Sequence, residues 1–234
     1  MASQDKIILY TNHLCPWAHR VHIALEELGI PFEEVIIDFD TPRTPEYLEI
    51  NPRGLVPALS YNGEIIIESG IISQFLVDAY PSHLIPASNA PGGAIRRARV
   101  GLFVDTFNSK FNSVLYGLFS AKSQEDREAV VEKAIAGLVK EVEPLLADAS
   151  PFFGGSNTIT LAEVLTGSFV VRVKSLTAAN VYPKSLWTGI EAKAPNFVKW
   201  ASVVAAHPSV TSIFHEKVIV EGTRAKILER GGVV

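Results

Sequence analysis

Val56-Pro57-Ala58-Leu59-Ser60-Tyr61-Asn62-Gly63-Glu64-Ile65-Ile66-Ile67-Glu68-Ser69 carries the clearest local signal in the chain. Asn62-Gly63 is the pair favoured in a two-residue β-hairpin, because both residues tolerate positive φ; Val56 to Tyr61 and Glu64 to Ile67 are therefore predicted as antiparallel strands. Pro57 cannot donate to a ladder and belongs at the head or edge of its strand. After the hairpin, Ser69 is predicted to cap a helix that runs to about Tyr80-Pro81. Upstream, Lys6-Ile7-Ile8-Leu9-Tyr10 is a short apolar run followed by polar Thr11-Asn12-His13, a buried strand entering a loop. Residues 16–28 place Val21, Ala24, Leu25 and Leu28 on one helical face, and Gly29 and Pro31 stop that helix. Phe32 to Phe39 is predicted as a second strand with Val35, Ile37 and Phe39 on one side, and Pro45 to Ile50 as a turn or two of helix. The order is strand, helix, strand, short helix, hairpin, helix: a small sheet with one crossover and one hairpin edge.

Downstream the character changes. Pro81 to Gly93 is rich in proline, serine and glycine and reads as a linker. Beyond it no strand pattern stands out. Val100, Phe103, Val104, Phe107 and Phe111 recur at helical spacing within Ala94 to Phe119, as do Val130, Ala134, Leu138 and Val142 within Asp126 to Leu146. Thr160-Leu161-Ala162-Glu163 fits a capping box ahead of an apolar helix that reaches about Val173, and Pro195 to Ala206 is a further helix stopped by His207-Pro208. The expected organisation is an α/β domain over 1–80, a linker over 81–93 and an all-α bundle of roughly five helices over 94–234.

Composition narrows the function. The chain has 234 residues, 47% hydrophobic and 20% charged, the balance of a globular protein with a real core. A net charge of −4 supplies no basic surplus to displace counterions from phosphates, so no nucleic-acid partner is expected. No run of about 18 apolar residues suits a bilayer, and Met1 to Tyr10 lacks the basic-then-apolar pattern of a signal peptide. The expected setting is cytoplasmic, without a membrane partner. The single cysteine rules out an intrachain disulfide and a cysteine-rich zinc site, and no metal is expected.

That cysteine, Cys15, stands in Leu14-Cys15-Pro16-Trp17-Ala18-His19-Arg20. Pro16 suits the first helical position, which puts Cys15 at the N-cap. Free backbone N–H groups and the positive end of the helix dipole favour thiolate there and can lower a cysteine pKa to about 3.5–7.5. The alternative is a small buried hydrophobe. Dithiol oxidoreductases carry a second cysteine three residues on; here Ala18 fills that position, so a mixed disulfide at Cys15 must be resolved by an outside thiol, for which glutathione is the abundant cytosolic candidate. Glu68-Ser69 opens the helix after the hairpin. It reads either as a plain cap or as a site for a carboxylate at the helix start with Glu68 facing an ammonium group, the two charges of a γ-glutamyl end. His13, His19 and His22 crowd Cys15 but no spacing gives them a catalytic role.

Cys15-Pro16-Trp17-Ala18, Asn51-Pro52-Arg53-Gly54-Leu55-Val56-Pro57-Ala58-Leu59 and Glu68-Ser69-Gly70-Ile71-Ile72 follow the order seen in cytosolic glutathione transferases, and the chain most resembles the omega or omega-like class, which uses cysteine where other classes use tyrosine or serine. The resemblance spans nearly the whole chain. It implies a thioredoxin-like N-terminal domain, an all-helical C-terminal domain, a homodimer, and glutathione as cosubstrate with a small thiol, disulfide or electrophile as partner. It also implies that Cys15 is the catalytic thiol, that Val56 pairs with the glutathione backbone beside a cis Pro57, and that Glu68 and Ser69 hold the γ-glutamyl group. Thr44 stands where the family often has a lysine for the glycyl carboxylate, so Arg43 beside it, or Arg53, takes that contact. The resemblance places an acceptor pocket between Cys15 and the helical half, with Arg172 there, where the sequence alone favours a snorkelling surface arginine. Trp17, Phe107, Phe111, Phe119 and Trp187 are its candidate aromatic lining, though aromatics at helical spacing are more often core. Implied reactions are thiol transfer, dehydroascorbate reduction and deglutathionylation. The alternatives are conjugation of glutathione to electrophiles, with Tyr10, Thr11 or Ser3 as the activating hydroxyl, and a non-catalytic binding module.

Overall fold

The computed structural model describes residues 5–234; Ser3 lies outside them. Strand β1 (Ile7–Thr11) runs parallel to β2 (Glu33–Ile36) through helix α1 (Pro16–Leu28) and antiparallel to β3 (Ala58–Tyr61), which hairpins into β4 (Glu64–Ile67). The sheet order is β2-β1-β3-β4, a mixed thioredoxin-like sheet as expected. The turn behaves as the residue pair requires: Asn62 has φ +53° and Gly63 +94°. Helix α1 ends at Gly29 in the left-handed region (φ +62°), with the Ile30 amide bonded back to the Leu25 carbonyl.

Two local readings are corrected. The second strand is shorter than Phe32 to Phe39, because only Glu33–Ile36 lies alongside β1; Ile37 and Phe39 turn toward a small cluster around Tyr47 and Val56. Helix α3 (Ser69–Ala79) is capped one residue earlier than expected. Glu68 occupies the cap position at φ +70°, and Ser69 is the first helical residue, buried and without a capping bond. Helix α2 (Pro45–Ile50) is capped by Thr44, whose hydroxyl accepts from the Tyr47 amide.

The helical part has more elements than the sequence pattern implied. Helix α4 (Gly93–Thr106) continues through a π turn (Phe107–Asn112) into α5 (Ser113–Leu115) and a 3-10 turn (Tyr116–Phe119). Then follow α6 (Gln124–Gly137), which begins in a Ser123/Asp126 capping box, α7 (Leu161–Ala178), α8 (Lys184–Lys193), α9 (Pro195–Ala205), α10 (Pro208–Thr211) and α11 (Glu216–Glu229). α7 is buried along most of its length, and its capping box forms as Thr160 and Glu163 predict. The Glu163 carboxylate does more than cap. Oε2 accepts from the Thr160 amide (2.9 Å) and hydroxyl (2.6 Å), and Oε1 accepts from the Phe153 amide (2.8 Å) and Trp200 Nε1 (2.7 Å).

The sheet and the helices share one apolar core. Leu9, Val21, Leu25, Leu59, Ile72 and Leu76 join Phe103, Phe107, Phe111, Val164, Phe197 and Trp200 in a single cluster. Helix α1 packs against α3 on one flank and α7 on the other. The segment 81–93 takes part, for Leu84 and Ile85 are buried and the Leu84 carbonyl accepts from the Leu161 amide. Among the described residues no helix is long and apolar enough to cross a membrane.

Candidate active site

The loop between β1 and α1 is built around Asn12. Its Nδ2 donates to the Ile37 carbonyl (2.9 Å), its Oδ1 accepts from the Leu14 amide (2.9 Å), and its own carbonyl accepts from the Cys15 amide (3.0 Å). Cys15 is thereby delivered to the N-cap of α1, partly buried at the base of a cleft of about 1,170 Å³. Cys15, Val56, Pro57, Glu68, Ser69 and Arg43 all line this cleft. The Val56–Pro57 bond is cis, and the Cys15 thiol donates to the Val56 carbonyl across 3.8 Å.

The electrostatics of the thiol differ from the expectation for an N-cap. Burial is the largest influence and pushes the Cys15 pKa up; the Ala18 and Trp17 amides and the Arg172 and Lys226 charges pull it down without prevailing. No capping hydrogen bond to the sulfur forms. With its pKa pushed above the ordinary cysteine value, Cys15 favours the thiol at neutral pH, against the thiolate that helix position alone implied.

Around it, the cations are arranged unlike a solvated surface. Arg172 is buried and so is not a snorkelling side chain. Nη1 donates to His19 Nδ1 (2.9 Å) and the Ser168 carbonyl (2.8 Å), and Nη2 to the His13 and Leu14 carbonyls (3.4 Å each). It thus ties α7 to the loop that presents Cys15, and burial pushes its pKa down to about 10. Arg20, which the sequence reading passed over, is buried against the rings of Trp17 (4.4 Å) and Phe169 (4.8 Å) and donates to Ser69 Oγ (3.4 Å) and Asn108 Oδ1 (3.2 Å). Burial pushes it down to about 9. Its one sequence signal is its position a helical turn after Trp17, where a guanidinium can stack on the indole. Arg43 is occupied by carbonyls: Nε donates to Gly54 (2.9 Å) and Nη1 to Asp38 and Thr41. Arg53 pairs with Glu68, both largely exposed.

A second, apolar pocket of about 290 Å³ adjoins the cleft, lined by Leu14, Trp17, Tyr116, Phe119, Phe169 and Arg172 among others. Three of the candidate aromatics lie elsewhere. Phe107 and Phe111 are fully buried in the shared core, Phe111 between the rings of Phe107 and Phe197, so its helical spacing reflects packing and not a pocket. Trp187 sits under Lys174 with its Nε1 donating to Glu191. Helix α11, unseen in the sequence, closes both compartments with Val218, Gly222 and Lys226.

His19 gives the site an acid sensitivity. Burial, then the Arg172 charge, then His22 and His13 hold its pKa well below the usual 6.5, so it stays neutral in the fold and binds a proton when unfolded. A depressed folded pKa contributes stability above about 6.5 that is lost as pH falls below it. His19→Gln, which keeps an acceptor for Arg172, is expected to flatten the decline of melting temperature between about pH 7 and pH 5. An unchanged slope would remove His19 from this role.

Comparison with known proteins places this geometry. Residues 14–79 match the family model for the glutathione S-transferase N-terminal domain. Glutathione S-transferase omega-1 of Rattus norvegicus is 30% identical over 175 residues, 74% of this chain and 69% of that protein. Glutathione transferase Omega 1C from Trametes versicolor superposes with a TM-score of 0.81 over 97% of this chain and 98% of its own, at 25% identity. Rice GST1 (OsGSTU1), solved in complex with glutathione, shares the fold at 23% identity with a TM-score of 0.80 over 97% of this chain and 99% of its own.

Proposed function

Since the chain belongs to the glutathione S-transferase family, with omega-class members among its relatives, we propose that it is a glutathione-dependent thiol transferase in which Cys15 carries glutathione as a mixed disulfide. The observation that carries this reading is the sulfur itself: the chain's one cysteine lies at the start of α1, on the floor of the cleft beside the Val56 carbonyl. The Cys15 thiolate attacks the glutathionyl sulfur of a mixed disulfide, forming a Cys15–glutathione disulfide and releasing the substrate thiolate, which takes a proton. A second glutathione thiolate then attacks that bond, leaving as oxidised glutathione and restoring Cys15. Deglutathionylation is this cycle with a protein mixed disulfide as substrate. In dehydroascorbate reduction the Cys15 thiolate adds to a substrate carbonyl, and one glutathione thiolate attacks that sulfur and displaces ascorbate to leave the Cys15–glutathione disulfide. A second glutathione resolves it as above. The protein acts in the cytoplasm as a homodimer.

The amides of α1 with Arg172 and Lys226 lower the Cys15 pKa against the burial that raises it, so the attacking thiolate is the minor form at neutral pH and is drawn off by its reaction with the disulfide. Ser69, held by Arg20, and Glu68 receive the γ-glutamyl end. With Arg43 engaged by carbonyls, its part in holding the glycyl carboxylate requires it to release one of them. Ser69→Ala is expected to weaken glutathione binding by about 1.5–3 kcal/mol in calorimetry; a lower melting temperature with unchanged affinity would make Ser69 purely structural.

The competing reading, conjugation to electrophiles, needs a hydroxyl at the sulfur. Thr11 is taken up by His22 Nε2 at 2.9 Å, which weakens that option. The deciding assay compares turnover of a glutathione mixed disulfide with turnover of an aryl halide. Preference for the aryl halide would overturn the proposal.

A further inference from the structure

On the far side of the Cys15 loop three potential ligands from three elements converge: His13 from the loop, His22 from α1 and Glu34 from β2. His13 Nε2 lies 2.6 Å and His22 Nε2 3.4 Å from the same oxygen, Glu34 Oε1, and all three donor atoms fall within 4.8 Å of one another. The two imidazoles meet edge to face, with centroids 5.2 Å apart and planes at 90°. The site is neither the thiol cleft nor the apolar pocket, for none of the three residues lines either.

We propose that His13, His22 and Glu34 form a binding site for a divalent transition ion of the zinc type, with water in the fourth position. The donor chemistry is that of two borderline nitrogens and one carboxylate oxygen, a set that suits Zn²⁺ and its neighbours in the first transition row. Ligand bonds of about 2.0–2.2 Å in a tetrahedron separate donor atoms by roughly 3.3 Å. The His22–Glu34 distance of 3.4 Å already meets that spacing, and the His13–Glu34 pair at 2.6 Å opens as the ion replaces their shared proton. The Thr11 hydroxyl, 2.9 Å from His22 Nε2, gives up that nitrogen to the ion. His13 and Glu34 are about a third exposed and His22 is buried, so one ligand is anchored in the fold while two stand at the mouth where an ion enters. His215, just before α11, lies beside His13 with centroids 5.9 Å apart and is not among the converging donors. A bound ion would brace the loop that carries Cys15 without touching its sulfur. The single cysteine, which rules out a cysteine-rich zinc site, has no bearing on this one.

The test is zinc titration by calorimetry on tag-free protein, because a histidine tag would mask the site. Cys15→Ser serves as the parent, removing the thiol as a competing zinc ligand. One ion per chain and a raised melting temperature are expected, with binding weakened about tenfold or more in His13→Ala and in Glu34→Gln. Both substitutions are at partly exposed side chains, and melting without zinc verifies that each variant folds. Absence of zinc binding in Cys15→Ser overturns the site, and so does binding that survives His13→Ala and Glu34→Gln unchanged.

Discussion

Cys15→Ala is expected to cut glutathione-dependent thiol transfer by about a thousandfold or more, since no other residue of the chain can hold a disulfide. Folding should be unaffected, because the sulfur packs only at the edge of the small cluster around Ala18, Tyr47 and Val56. Mass spectrometry after incubation with oxidised glutathione should show one added glutathione on the wild type and none on the variant. Cys15→Ser is expected to gain weak conjugation, as a hydroxyl stabilises a bound thiolate without capturing it. Wild-type transfer rates in Cys15→Ala would sink the mechanism. The raised pKa of the free thiol adds a further readout: alkylation of Cys15 in the empty protein should be slow at neutral pH and accelerate as pH rises toward the raised pKa.

The second large effect is on stability. Glu163→Ala would strip acceptors from the Thr160 amide and hydroxyl, the Phe153 amide and Trp200 Nε1, all within the core. Each buried donor left unpaired costs about 1–3 kcal/mol, and with partial relaxation the total is expected to reach about 4 kcal/mol in denaturant unfolding. Glu163→Gln should cost less, since it removes one acceptor position and adds a donor among donors. A loss below about 1 kcal/mol for the alanine variant would mean that water replaces the carboxylate.

Much of this was legible because it was local. Asn62-Gly63 sets a turn by its own φ preference, Pro16 and Gly29 bracket a helix, and Thr160 with Glu163 satisfies amides three residues apart; none of these needs a distant partner. What failed depended on distant partners. Phe111 has the spacing of any helical face, and only its packing on Phe197, from another helix, separates core from pocket. Ser69 looked like a cap until Glu68 took the left-handed position and Arg20 claimed the hydroxyl from a helix nearly fifty residues earlier. Position alone argued for a thiolate at Cys15, because helix dipoles are visible in sequence and desolvation is not. Helix α11 escaped notice for a related reason: it buries little, so its apolar periodicity is faint.

That faint helix bears on how such proteins diverge. α11 is 14 residues long and sinks Ile219 and Ile227 into the interior, yet Val218, Gly222 and Lys226 face both compartments. A Cβ placed at Gly222 would meet nothing within 4 Å, so a side chain there grows into free space. Two of the other walls, α1 and α7, belong to the shared core, where a change of shape disturbs folding as well as recognition. Inherited changes in acceptor preference are therefore expected to accumulate along the last helix, leaving the sulfur chemistry of α1 untouched.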